Sequence, residues 1–140
     1  MRQELTEKLA EIPLVRRSLN HPKSRLSEVG IECGDGWFYL VRELMTTIQG
    51  QHQNLLWVVR IREAAGELRV HMEGFFYYKN RGLANKIDDM VREAREKSHH
   101  ICESCGDPGK RLPRLNGVYK TLCERCAEAA EIPSQAQGAP

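Results

Sequence analysis

Two Cys-x-x-Cys pairs, Cys102/Cys105 and Cys123/Cys126, stand 17 residues apart in a chain of 140 residues. Few features restrict a fold so strongly. A two-residue spacing lets both thiols of a pair face one point from a single tight turn, and the gap lets the chain return with the second pair. Four thiolates in a tetrahedron suit Zn²⁺ and saturate it. The pattern therefore predicts one structural zinc ion on Cys102, Cys105, Cys123 and Cys126, with no open position for a catalytic water. A thioredoxin-like redox motif would need one pair in a βαβ setting, whereas here the two pairs match each other.

The residues between the pairs fit the same reading. Gly106 follows the first pair, where a knuckle needs backbone freedom to aim N–H groups at sulfur. Asn116-Gly117 is a hairpin turn signal. "CERCAEAAE" then reads as a helix carrying the last two ligands on its first turn. Knuckle, hairpin and ligand-bearing helix resemble a treble-clef zinc finger. Metal binding contributes on the order of 10 kcal/mol to folding such a unit, which is too small to bury a core alone. Zinc with four thiolates carries a charge of about −2, and Lys110, Arg111, Arg114, Lys120 and Arg125 surround it in sequence. They either compensate that charge or contact phosphate. The spacing matches GATA-type DNA-binding fingers, but the acidic "AEAAE" helix and the lack of a basic tail argue against reading DNA in that way.

Upstream, helical and strand periods alternate. Leu5, Leu9 and Ile12 predict a helix that Pro13 stops, and the basic stretch "RRSLNHPKSRLSEVG" reads as an arm holding a short helix at most. Trp37, Leu40, Val41, Leu44, Met45 and Ile48 recur at three- and four-residue steps and predict the best helix of the chain, with Asp35 as its N-cap. "NLLWVVRI" places Leu55, Trp57, Val59 and Ile61 on one face of a strand, and "ELRVHM" does the same with Leu68, Val70 and Met72. The short "REAAG" between them predicts a hairpin. A further helix over about 82–97 buries Leu83, Ile87, Met90, Val91 and Ala94. The expected fold is α+β, two helices on a small antiparallel β-hairpin sheet with a C-terminal treble-clef-like zinc finger. The expected divisions are 1–26, an N-terminal helix and basic arm; 27–98, the α+β core; 99–131, the finger; and 132–140, a disordered tail.

The hydrophobic content of 41% and charged content of 29% describe a folded protein, and a net charge of +2 decides little about partners. No run of about 18 apolar residues predicts a membrane span. "MRQELTEKLAEIP" lacks the apolar core of a signal peptide, so the expected compartment is the cytosol, where paired thiols favour metal over disulfides. Cys33 reads as a buried apolar thiol. His99 and His100 end a helix, where they interact well with its dipole. Phe75, Phe76, Tyr77 and Tyr78 beside Lys79 and Arg81 either pack in the core and against a partner or stack on single-stranded bases. No nucleophile with its base, no carboxylate pair and no phosphate loop appears, and the His-Asn-His series of HNH nucleases is absent, so no catalysis is expected.

The order of elements carries a resemblance. "GIECGDGWFYLVRELM", a hairpin with "GELRVHM", and a helix running into "AREKSHHICESCGDPGKR" and "VYKTLCERCAE" resemble a group of small proteins encoded by tailed phages and prophages. There a GDGW-type helix start, a G-L-R strand and a C-terminal zinc finger follow one another. The resemblance covers Ser27 to Cys126. It departs at "AAGE", where relatives often carry an aromatic-glycine turn, and at Cys126, where many end the finger with His. It implies a context, an accessory protein in the bacterial host cytosol, and not a mechanism. The leading expectation is a zinc-binding regulatory protein that binds a host or phage protein without small-molecule substrate. The alternative is a nucleic-acid binder using Lys110, Arg111, Arg114 and Lys120 of the finger, with Arg16-Arg17 and the aromatic stretch.

Overall fold

The computed structural model describes residues 1–51, 56–74 and 79–138, with side chains through Glu131. Phe75, Phe76, Tyr77 and Tyr78 lie outside the described residues, as does Leu55. Among the described residues the fold is α+β: six helices, an antiparallel hairpin of β1 (Leu56–Ala64) and β2 (Glu67–Gly74), and a second, smaller hairpin of β3 (Lys110–Pro113) and β4 (Tyr119–Leu122) in the cysteine-rich region.

The N-terminal stretch is not an arm. α1 (Gln3–Leu9) already stops at its Ala10 cap, and Pro13 opens α2 (Pro13–Leu19), because a proline at the first helical position gives up only an N–H that has no partner there. Leu9, Leu14, Val15 and Leu26 are fully or almost fully buried in the common core. A short helix α3 (Leu26–Val29) follows. Together these elements cover the outer edge of β1 (Leu56–Ala64). Ser18 Oγ accepts the Val58 N–H at 2.7 Å, Ser24 Oγ donates to the Val58 carbonyl at 2.6 Å, and the Arg25 N–H donates to Val59 at 2.7 Å. Arg17 donates to the Leu56 carbonyl at 2.8 Å, so one of the two arginines expected to face phosphate is spent on the sheet. An edge strand so occupied offers no free ladder to another chain.

β1 also corrects the predicted strand face. A bulge between Val58 and Arg60 shifts the register against β2 (Glu67–Gly74). Leu56, Val58 and Ile61 are buried, while Trp57 and Val59 are only partly so. A bulge adds one residue and flips the alternation beyond it. In β2, Leu68 and Met72 are buried and Val70 is partly buried, as the alternation predicts.

The amphipathic helix expected after GDGW is α4 (Phe38–Gln51), and Leu40, Val41, Leu44, Met45 and Ile48 all face the core. Asp35 does not cap it. Asp35–Trp37 form a 3₁₀ turn, and the Asp35 carboxylate instead takes the Arg2 backbone N–H and guanidinium, each at 2.8 Å. α5 (Arg81–Ser98), capped by Asn80 Oδ1 on the Leu83 N–H at 3.1 Å, packs on α4 and β2. Its buried set is Leu83, Ala84, Ile87, Ala94 and Ser98, with Met90 and Val91 half-covered. The last helix, α6, runs Glu124–Gly138, so most of the expected tail has helical backbone.

Candidate metal centre

The cysteine region builds as its spacing dictates. The Cys102–Asp107 knuckle is closed by Gly106 N–H to Cys102 O at 2.9 Å and Cys102 N–H to Asp107 O at 2.7 Å. Gly106 sits at φ +87°, a left-handed conformation that a side chain would strain. β3 (Lys110–Pro113) and β4 (Tyr119–Leu122) pair in register, and Gly117 turns the chain at φ +79°. α6 then presents Cys126 in its first turn, beside Cys123. The outcome is a knuckle, a hairpin and a ligand-bearing helix, in treble-clef order.

The four sulfurs lie within 4.8 Å of one another, and Cys105 Sγ is 3.7 Å from Cys123 Sγ. A tetrahedral tetrathiolate with metal–sulfur bonds of about 2.3 Å has edges near 3.8 Å. The geometry fits a metal ion. Backbone N–H groups of Asp107 and Cys126 point at the Cys105 and Cys123 sulfurs from 3.5 and 3.4 Å, the contacts that hold a thiolate ligand. Burial alone would raise the Cys102 thiol, but surrounding backbone N–H groups, those of Cys123, Cys105 and Ser104, outweigh it and bring it to about 7. The Cys123 thiol beside it pushes Cys126 up to about 12. One sulfur ionises readily while its neighbour stays protonated; a divalent cation is what lets all four ionise together. His99 is no substitute ligand, since its Nε2 pairs with Glu67 at 3.1 Å.

The finger is seated in the core by a socket that the period-based reading of the sequence missed. Gly36 N–H donates to the Glu103 carbonyl at 2.7 Å, Gly34 N–H to the Glu103 carboxylate at 2.9 Å, and the buried Trp37 donates its Nε1 to the Ile101 carbonyl at 2.8 Å. A Cβ on Gly36 would overlap the Cys102 carbonyl oxygen and approach the Gly106 nitrogen to 2.6 Å, so the knuckle backbone fills the space a side chain would need. The doubled glycine of GDGW was the available signal. A second contact joins the two hairpins. Buried Thr121 donates its hydroxyl to the Gly66 carbonyl at 2.5 Å, and its own carbonyl takes the Glu103 N–H at 3.0 Å.

The basic side chains of the finger are unevenly available. Lys120 is paired with Glu63 at 2.8 Å and lies 3.7 Å from Glu103. Arg111 donates to the Ala65 carbonyl at 2.8 Å and lies over the Tyr119 ring. Arg114 donates to the carbonyls of Lys110 and Lys120, at 3.2 and 3.5 Å. Arg125 reaches Asp107 at 3.4 Å, and its hydrogen bond to Cys105 raises its pKa, which fits charge compensation at the metal. Lys110 is exposed. What the hairpin shows to solvent is apolar: Leu112 is 46% exposed, Leu115 65%, Val118 48% and Tyr119 43%. Leu112, Leu122 and Ala127 share a groove between hairpin and α6, rimmed by Glu124, Glu128 and Glu131 on the helix and by Lys110 and Arg114 on the hairpin.

Among the described residues, no helix is long and apolar enough to cross a membrane. Compared with known proteins, the chain matches no family model, no curated protein and no solved structure, so its own geometry carries the functional reading.

Proposed function

We propose that the chain is a zinc-clamped binding protein, an accessory or regulatory factor of the phage and prophage type, that works in the host cytosol by docking a protein and not by catalysis. Zinc is the ion the chemistry favours, because four thiolates close a tetrahedron and leave no position for water or substrate. The observation that carries the docking reading is the exposed apolar content of one short hairpin: Leu112 lines the groove against α6, Leu115 and Val118 stand at the turn, and Tyr119 lies on the other face under Arg111. Exposed apolar side chains gathered on one short element beside a polar-rimmed groove mark interaction sites. The acidic α6 side of the groove favours a partner segment with apolar side chains and a lysine or arginine, and Lys110 and Arg114 on the hairpin side favour an acid at its other flank. The contact between GDGW and the knuckle supports the phage resemblance, since it gives the two motifs a physical reason to occur together.

The alternative, nucleic-acid binding through the finger hairpin, has less support. Lys120 and Arg111 are engaged with the core, and Arg114 with its own hairpin.

The test is affinity capture from host lysate with the wild-type chain and with Leu112→Ser/Leu115→Ser/Val118→Ser. Cobalt-substituted samples should show tetrahedral tetrathiolate absorption in both, certifying the clamp. A protein retained by wild type, lost by the variant and rebound when purified supports the reading. An identical captured set from both chains ends it.

A further inference from the structure

We infer that the solvent face of the β1–β2 hairpin binds the sugar-phosphate backbone of a nucleic acid, through Arg25, Arg60, Arg62, Arg69 and His71. This surface is separate from the finger hairpin and goes beyond the protein-docking reading.

The register puts Arg60 opposite His71 and Arg62 opposite Arg69. Like charges directly across an antiparallel pair destabilise the ladder. Outward strand positions are ordinarily filled by β-branched or aromatic residues, so the Arg62–Arg69 pair works against the strand's own stability. Arg25, from the loop that bonds β1, joins the same shallow depression, lined by Arg25, Val59, Arg60, Arg62, Arg69, Val70 and His71 with no carboxylate in the lining. A second depression shares Arg69 and Val70 and is lined by Arg92 and Arg95 of α5, along with Asp88.

Carboxylates do pair with these groups, mostly from below or beside the face. Glu67 is 13% exposed against 48% for its partner Arg69, and Glu73 is 28% against 60% for His71. Glu32 holds Arg60 at 2.8 Å, with Arg25 and Arg62 adding to the positive field that keeps its carboxyl below the ordinary range. Glu28 meets Arg25 at 3.7 Å. Each guanidinium has five N–H donors, and a carboxylate uses one or two, so positioned arginines still have donors for phosphate. Glu67 lies deeper than Arg69, whereas Glu32 is about as exposed as Arg60 and Glu28 more exposed than Arg25, so the edge left charged centres on Arg62 and Arg69. With a net charge of only +2, this is a local field, not a general basic character. The lining has only two aliphatic side chains and no phenylalanine, tyrosine or tryptophan, which favours phosphate over an apolar protein surface and predicts binding without base reading.

Four arginines each taking one phosphate give a log–log salt slope of about −3.6, a loss on the order of a hundred-fold between 50 and 200 mM salt. The experiment is fluorescence anisotropy of the full, zinc-loaded chain against two 20-base-pair duplexes of unrelated sequence and their single strands, with poly-glutamate as competitor. Expected are equal affinities for the two sequences, the steep salt slope, and loss of at least about tenfold in Arg62→Glu. That variant gains an opposite charge across from Arg69 and loses one beside Glu32, so its Tm should stay near wild type, and measuring it separates lost binding from lost folding. Lys110→Ala/Arg114→Ala should bind as wild type. No binding at 50 mM salt, unchanged binding by Arg62→Glu, loss confined to the finger variant, or displacement by poly-glutamate at equal charge would each overturn the proposal.

Discussion

Gly36 of the GDGW turn and Glu103 of the cysteine knuckle are joined backbone to backbone, N–H to carbonyl, at 2.7 Å. Around that bond stand Gly34 on the Glu103 carboxylate and Trp37 on the Ile101 carbonyl. The finger and the α+β core therefore share one interior, and a perturbation at either should be felt in the other.

Gly36→Ala is expected to be severe. The added Cβ meets backbone atoms of the knuckle, which cannot rotate away. A loss of at least about 2 kcal/mol is the scale of such overpacking. Chemical denaturation should show it, and zinc competition against a chromophoric chelator should show weaker metal binding. Gly50→Ala in α4 is the contrasting substitution, because nothing lies within 4 Å of its Cβ. It should stabilise by roughly 0.5–1 kcal/mol through the helix preference of alanine over glycine.

Chelating the metal should loosen the core as well as the finger. Hydrogen exchange should show lost protection at Gly36, whose partner is in the knuckle, and at Leu68, whose N–H donates to Ser98 Oγ at the foot of the finger. Unchanged protection at both positions would mean that the finger unfolds alone.

Thiol counting gives an independent reading of the same coupling. Burial, with help from the nearby Glu103 charge, pushes the Cys33 thiol up to about 12, and Cys33 is 5% exposed. The thiolate is the reactive form, so Cys33 should stay silent to a disulfide reagent in the metal-loaded chain. After chelation five thiols should react, not four, because loss of the socket opens the core around Cys33.

Thr121→Val removes a hydroxyl while keeping the shape of the side chain. The Gly66 carbonyl then loses its buried donor, at a cost of about 1–3 kcal/mol. Thr121→Ser should retain most of the stability, and comparing the two by thermal unfolding checks that the bond between the hairpins is responsible.

The four metal ligands were legible because their geometry is local: two residues within each pair and one hairpin between. α4 and α5 were legible because their apolar period runs for several turns. The rest depended on partners distant in the chain. Pro13 reads equally as the end of α1 and the start of α2, and only the burial of Leu14 and Val15 decides between them. The bulge at Val58–Arg60 has no glycine to announce it, and the residues that fix it, Ser24 and Arg25, belong to another element. The basic hairpin face was hidden for a related reason. Arg62 and Arg69 become neighbours only once the register is known. GDGW was visible as a motif, but its two glycines make sense only with the knuckle in place.

Trp37 and the last ligand, Cys126, also fix an order of events during synthesis. A ribosome adding about 5–20 residues per second releases the tryptophan several seconds before the fourth sulfur exists. For that interval the α4 entrance has no lid, and its largest ring has no acceptor for its indole N–H. If a metal ion closes the four-cysteine site, its supply then becomes a limit on the yield of folded protein as well as on its stability.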